Sequence, residues 1–244
     1  MKRVAIFSIY IFFIGLVYAS QCSAAGKDIE LELIAQGQFE DLSKEIGLII
    51  SYVPLSPAEP LGILGFDIGV EVTGVKIRSG SEFWKLAMKG TPPDYIILPK
   101  IHAQKGLPFG IDVGAIFATV PGSNITLYGG EVKWAVLKGT IVSPAVAVRG
   151  TYTALTGVDD IDMSTYGLDA SVSKGFGPLT PYGGLGQVWI KSSENSDIVT
   201  LDDVSTSSTK LFLGAKLKIL LLSLVFQADI SDVNMYSARA NISF

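Results

Sequence analysis

Apolar and polar residues alternate along most of the chain after Leu61. Leu64, Phe66, Ile68, Val70 and Val72 are interleaved with Gly65, Asp67, Gly69, Glu71 and Thr73, and a period of two predicts a strand with one apolar and one polar face. The pattern returns with Tyr166, Leu168, Ala170 and Val172 against Thr165, Gly167, Asp169, Ser171 and Ser173. Near the end, Leu222, Leu224, Phe226, Ala228 and Ile230 oppose Ser223, Gln227 and Asp229. The last stretch sets Tyr236, Ala238, Ala240, Ile242 and Phe244 against Ser237, Arg239, Asn241 and Ser243. Less regular strands are predicted over 95–104, 110–119, 125–137, 141–154, 180–192 and 210–218. Turn residues separate them, as in Pro121-Gly122-Ser123-Asn124, Lys138-Gly139-Thr140 and Gly175-Phe176-Gly177-Pro178. The sum is about ten strands of roughly 9 to 15 residues, long enough to cross a bilayer when tilted.

Before Leu61 the period changes. Leu31, Ile34, Phe39, Leu42, Ile46 and Ile49 recur at helical steps with Glu30, Glu32, Glu40, Asp41 and Lys44 between them. Gly37 predicts a break in that helix, and Ser56-Pro57-Ala58-Glu59-Pro60 ends it. The first residues read as an export signal: Lys2 and Arg3, an apolar run from Val4 to Ala19, and the small residues Ser23-Ala24-Ala25, after which cleavage is expected. The expected division is 1–25 signal peptide, 26–60 N-terminal helical plug or periplasmic segment, and 61–244 barrel. A retained anchor helix and a lipid attached at Cys22 are the competing readings, the second opposed by Gln21 before the cysteine.

Composition narrows the class. Hydrophobic residues make up 48% and charged ones 17%, with a mean hydropathy of +0.43. A helical membrane protein would need runs of about 18 apolar residues, and past the N-terminus the best candidate, Leu217–Phe226, is short and interrupted by Lys218. High apolar content spread thinly is the signature of a transmembrane barrel. Removing residues 1–25 takes Lys2, Arg3 and the only cysteine but no acid, moving the formal charge from −4 to −6. An acidic, unpatterned balance argues against a nucleic-acid partner.

The final strand, alternating Tyr236, Ala238, Ala240 and Ile242 and closing on Phe244, resembles the closing strand of bacterial outer-membrane β-barrels. The resemblance implies an all-β, antiparallel transmembrane barrel in the outer membrane of a Gram-negative bacterium. It also implies contact with outer-membrane lipid and recognition by the barrel-assembly machinery through Tyr236, Ala240, Ile242 and Phe244. Such barrels have an even strand number, short turns on the periplasmic side and longer loops outside. Counting back from Phe244, the long connections 79–93 and 193–208 fall outside, and residues 27–60 fall outside the wall, either docked below the barrel or inserted as a plug. A twelve-strand version, with two strands before Leu61, is the structural alternative. An N-terminal segment able to enter the lumen is similar, in architecture only, to fatty-acid-transporter-type barrels with an N-terminal hatch. Tyr95, Tyr128, Trp134, Tyr152, Tyr166, Tyr182, Trp189, Tyr236 and Phe244 are the candidates for outward-facing interfacial aromatics.

Candidate chemistry is sparse. His102 is the only histidine and has no sequence neighbour that completes a catalytic pair. Asp159-Asp160-Ile161-Asp162 lacks the glycine and final glutamate of a calcium loop, and Gly183-Gly184-Leu185-Gly186 opens no helix that would cradle phosphate. No catalytic residue, metal or cofactor is expected. The candidates are instead lumen-lining: Asp67, Glu71, Lys100, His102, Asp112, Glu131, Lys133, Arg149, Asp169, Lys191, Lys216, Asp229 and Arg239. Mixed charges either neutralise one another in a filled interior or line a narrow aqueous path. Two functions follow: a narrow or gated passage for a small or amphipathic solute, or a closed structural or surface-interaction barrel. For the second, Phe83, Trp84, Leu86 and Met88 supply an expected exposed apolar patch. A barrel enzyme ranks third.

Overall fold

The computed structural model describes residues 35–88, 91–119, 124–158, 161–195 and 201–244. The expected signal peptide, residues 28–34 of the helical stretch and Asp159-Asp160 lie outside the described residues.

Ten antiparallel strands close into one barrel: β1 Phe66–Lys76, β2 Tyr95–Gly106, β3 Ile111–Thr119, β4 Thr126–Lys138, β5 Ala145–Thr156, β6 Ile161–Ser173, β7 Leu179–Glu194, β8 Val204–Ile219, β9 Leu222–Ile230 and β10 Asn234–Ser243. Each strand pairs with its neighbours in sequence, and β1 closes the ring by pairing with β10 from Asp67↔Ser243 to Lys76↔Asn234. Closure leaves no edge strand unpaired. The expected ten strands are therefore present, with shifted ends, of which two have a local cause. β5 starts at Ala145 because Thr140–Pro144 folds into a turn, with the Thr140 hydroxyl accepting from the Val142 and Ser143 amides. β8 begins at Val204, upstream of the expected Lys210, because Ser205, Ser207 and Thr209 present a polar outer face that hides the strand from an apolar count.

Among the described residues two α-helices accompany the wall, α1 Gln36–Ile50 and α2 Glu82–Ala87. The Gln38 side chain accepts from the Ala35 amide at the start of α1, and the Ser51 hydroxyl bonds the Leu48 carbonyl at its end. The helical stretch is interrupted at Ala35, whose backbone is extended, two residues before the break expected at Gly37; Gly37 itself lies in the first turn of α1, where its cost to the helix is small. Gly47 serves packing instead: a Cβ there would sit 2.4 Å from the Ile190 side chain of β7, so only glycine lets α1 lie flush on the inner wall.

The outward face is apolar in its middle. Outward charges on the described strands occur only at Lys76, Lys105, Lys138, Asp162 and Lys191, all toward strand ends. Tyr95, Tyr128, Tyr152, Tyr166, Trp189 and Tyr236 ring this band toward the long-loop end; Phe66, Trp134 and Phe244 mark its other side, with Phe66 and Phe244 stacked at 5.7 Å. From Tyr236 to Phe244 the strand rises about 26 Å, which tilt reduces toward the height of a bilayer's apolar layer. Tyr182 departs from the expected outward set: it points inward and its hydroxyl donates to Gln227 at 2.8 Å.

The interior has two zones. At the long-loop end Phe39, Leu42, Ile46 and Ile49 of α1 pack against inward-facing Val75, Met163, Ile190, Val204, Val233 and Met235. Phe83 and Trp84 of α2 close this cluster and are buried, so the expected exposed apolar patch is absent. The cause is α1: its apolar face fills the mouth of the barrel and gives α2 a surface to cover. The middle and the short-turn end of the interior are polar and charged.

Candidate functional site

The inner wall owes its charge to register. Glu71 on β1 stands directly opposite Arg239 on β10 and Lys100 on β2. On the other side of the barrel Asp112, Lys133, Arg149 and Asp169 follow one another across β3, β4, β5 and β6, and the row continues through Gly186 to Lys210. A Cβ at Gly186 would lie 2.7 Å from Asp169 Cβ, so the glycine keeps that row open. The expected glycine run on β7 thus accommodates neighbours and cradles nothing.

Acids and bases balance. Asp67, Glu71, Asp112, Glu131, Asp169 and Asp229 share the interior with Lys100, Lys133, Arg149, Lys210, Lys216 and Arg239. Lys100 Nζ lies 3.0 Å from Glu71, Lys133 Nζ 2.9 Å from Asp112, and Arg149 3.3 Å from Glu131 and 3.8 Å from Asp169. Arg239 reaches Glu71 at 3.4 Å and Asp67 at 3.7 Å. It also lies 2.6 Å from His102 Nδ1, which has to accept from the guanidinium. Asp67 further accepts from Asn241 at 2.5 Å, and Asp229 accepts from Gln227 at 3.0 and 2.9 Å.

Residues 51–61 thread this network. Four of its cations donate to carbonyls of the threaded chain: Lys210 to Tyr52 at 3.1 Å, Arg239 to Leu55, Arg149 to Ser56 at 3.4 Å, and Lys133 to both Pro57 and Glu59 at 3.0 Å. In the other direction the Ala58 amide donates to Ser173 Oγ at 3.0 Å and the Leu61 amide to Asp112 at 3.1 Å. Pro54, Pro57 and Pro60 carry no N–H, so the segment presents carbonyls to the cations with fewer amides left to satisfy. The direction of threading is fixed by its ends. α1 lies at the long-loop mouth, and residues 56–61 reach Asp112, Lys133 and Ser173 toward the short turns. A cleft of about 290 Å³ remains at that end, bordered by Glu59, Gln104, Lys133, Lys216 and Lys218. Burial raises the Glu59 carboxyl above the usual carboxylate range, against the opposing pull of Lys133 and Lys216.

At the long-loop mouth a second set of contacts fastens α1. Glu45, buried in the helix, accepts from Arg78 Nε and from Trp84 Nε1 at 2.5 Å. Lys44 pairs with Asp232 in the β9–β10 turn at 2.8 Å, and Asp232 also accepts from Ser208 at 2.6 Å. Gln36 exchanges two hydrogen bonds with the Asp202 backbone. The bonds from Lys44 and Ser208 hold the Asp232 carboxyl below its usual range, and the bond to Glu45 raises Arg78.

Asp67, Glu71, Lys100, His102, Asp112, Glu131, Lys133, Arg149, Asp169, Lys216, Asp229 and Arg239 all face the interior, as the alternation predicts. Lys191 does not. It shares the outward parity of Trp189 on β7, and its ammonium lies 5.7 Å from the Tyr166 ring centre on the outer surface. The residue missed is Lys210, which shares its parity with Lys216; counting back from Lys216 in steps of two to the first residue of the expected strand finds it. Asp162 accepts from Asn195 at 2.7 Å. Of the expected assembly residues, Tyr236, Ile242 and Phe244 are exposed, and Ala240 lies on the same outward face.

No protein-family model and no curated protein matches the chain. Among solved structures the chain is similar to the N-terminal β-barrel domain of Pseudomonas aeruginosa OprF at 13% identity and a TM-score of 0.36, over 75% of this chain and 99% of that one. It is similar to Ail, the attachment invasion locus protein of Yersinia pestis, at 12% identity and a TM-score of 0.33, over 74% and 97%. Neisserial surface protein A follows at 9% identity and a TM-score of 0.30, over 73% and 95%.

Two outcomes are expected. Arg239→Met takes from Glu71 one of its two cations, Lys100 remaining, and from the Leu55 carbonyl its donor, and it lowers stability by about 3–5 kcal/mol in urea unfolding of the folded barrel. The second concerns pH. The Asp232 carboxyl is depressed in the folded protein, so its contribution is present above its unfolded value of about 3.9 and is lost as pH falls through the lower folded value. Protection of the α1 amides relative to their intrinsic exchange should therefore fall below about pH 4, and Asp232→Asn should remove that acid-dependent part while leaving protection in the strands unchanged.

Proposed function

We propose that the chain is an outer-membrane β-barrel of a Gram-negative bacterium, held shut at rest by its own residues 36–61 and serving as a closed, non-catalytic barrel. The observation that carries the reading is the occupation of the lumen: cations from four strands are bound to five carbonyls of one buried segment. The membrane placement rests on the outer surface. A charge-free apolar band bordered by aromatics is stable against hydrocarbon and costly against water. Export by a cleaved signal peptide and delivery to the barrel-assembly machinery through the outward face of β10 belong to the same proposal. A non-catalytic role is supported by His102, which is engaged by Arg239 and buried in the lumen.

A second reading, a gated passage for a small solute, is favoured by the chemistry of the wall. A closed barrel is equally served by an apolar filling, whereas a lumen lined with charge stays wettable once the segment withdraws. Conductance of the full chain in planar bilayers separates the two. The closed reading expects no steady current, in buffer or in urea concentrations that loosen α1 before the wall. Steps that appear only in such urea identify the gated passage, and steady channels in buffer contradict closure at rest.

A further inference from the structure

The turns at the short-turn end have an unusual composition. Each connection there exposes a large apolar residue: Leu64 at 79% before β1, Phe109 at 83%, Ile141 at 98% and Val142 at 90%, Phe176 at 63%, and Leu220 at 86%. Water-facing turns ordinarily carry Gly, Asn, Asp or Ser at such positions. Backbone conformation adds a second observation. Phe109 and Leu220 have φ of 64° and 57°, and among the described residues they alone take positive φ without being glycine. The left-handed region disfavours bulky side chains and admits Gly or Asn readily. Strained turns with large apolar side chains indicate that those side chains have an environment to enter.

Charge points to what that environment is. Lys105, Lys138 and Lys218 are exposed at this end, and half-buried Lys174 donates to the carbonyls of Thr140 at 3.0 Å, Ile141 at 2.6 Å and Ser143 at 3.2 Å. Lys105 similarly bonds the carbonyls of Ile63 at 2.7 Å and Gly65 at 3.1 Å. Among the described residues no acidic side chain at this end is exposed; Glu59 is half-buried and Asp112 is buried. The acids in the open, such as Glu40, Asp41, Asp162, Asp202 and Asp203, gather at the opposite end. Apolar tips with lysines at their roots, adjoining the apolar band of the wall, match the boundary between acyl chains and anionic headgroups.

We propose that the short-turn rim is a lipid-embedded collar, its apolar tips seated in one leaflet and its lysines bound to the phosphates of anionic phospholipid. The inference rests on the transmembrane reading, so its test reports on both. Ile141→Cys and Leu220→Cys, each in a Cys22→Ser background, are labelled with an environment-sensitive fluorophore and refolded into phosphatidylcholine vesicles with or without phosphatidylglycerol. The collar expects blue-shifted emission at both tips, quenching by brominated acyl chains, and several-fold weaker quenching by iodide than for the free dye. It also expects preferential retention of phosphatidylglycerol, reduced by Lys105→Gln with Lys138→Gln. Tips that iodide quenches freely, while the belt tryptophans Trp134 and Trp189 are quenched by brominated lipid in the same vesicles, overturn the collar and leave the transmembrane reading intact; such a wet apolar rim would instead suit a protein partner. Belt tryptophans untouched by brominated lipid overturn both. Dry tips without any preference for phosphatidylglycerol overturn the headgroup contact.

Discussion

Charge buried inside a closed wall has to be compensated at short range, and the rest of this structure follows from how that is done. Taking an ion out of water costs several kcal/mol even after relaxation, and here six acids and six bases of the wall share one lumen. Side-chain pairing meets part of the requirement, as in Lys100 with Glu71 and Lys133 with Asp112. It is not sufficient. Lys210 bonds a backbone carbonyl of the threaded segment, and Arg239 and Lys133 use such carbonyls in addition to their carboxylates. The segment and the wall are therefore parts of one electrostatic unit. Removing either leaves the other with uncompensated polar groups, unless water replaces it.

The same constraint explains the division of the interior. Where α1 enters, the inner wall turns apolar and the helix contributes hydrophobic area; where the chain becomes extended, the wall turns charged and the chain contributes carbonyls. A helix would be the wrong element in the charged zone because its carbonyls are already bonded internally. Proline every third residue from Pro54 to Pro60 keeps this part of the chain out of that conformation.

Much of this arrangement is legible in residue order. Strict alternation places Asp67, Glu71, Asp169, Asp229 and Arg239 on one face, and the ten-strand barrel follows from repeating that reading. Lys191 shows where the method slips: β7 is glycine-rich, and only strict counting from Trp189 assigns the lysine outward. Lys210, the first residue of the expected strand, is assigned inward only by carrying the parity of Lys216 back to it, and the polar residues before it give no periodic signal to extend the strand further. Phe83 and Trp84 could not be placed from their own neighbourhood, because their burial depends on α1, which is distant in sequence. Nor does any local pattern reveal that carbonyls of residues 52–59 serve as ligands for the lumen cations, because every residue type presents the same backbone group.

The central claim, that the segment after α1 occupies the lumen and completes its charge network, is tested most directly by thiol accessibility. Leu55 is buried against the wall beside Arg239, and Asp203 is exposed at the long-loop end. With Cys22→Ser as background, Leu55→Cys in the folded barrel should resist a small hydrophilic thiol reagent and react only on unfolding, while Asp203→Cys in detergent reacts at once. Equal reactivity of the two sites in the folded protein would contradict the account.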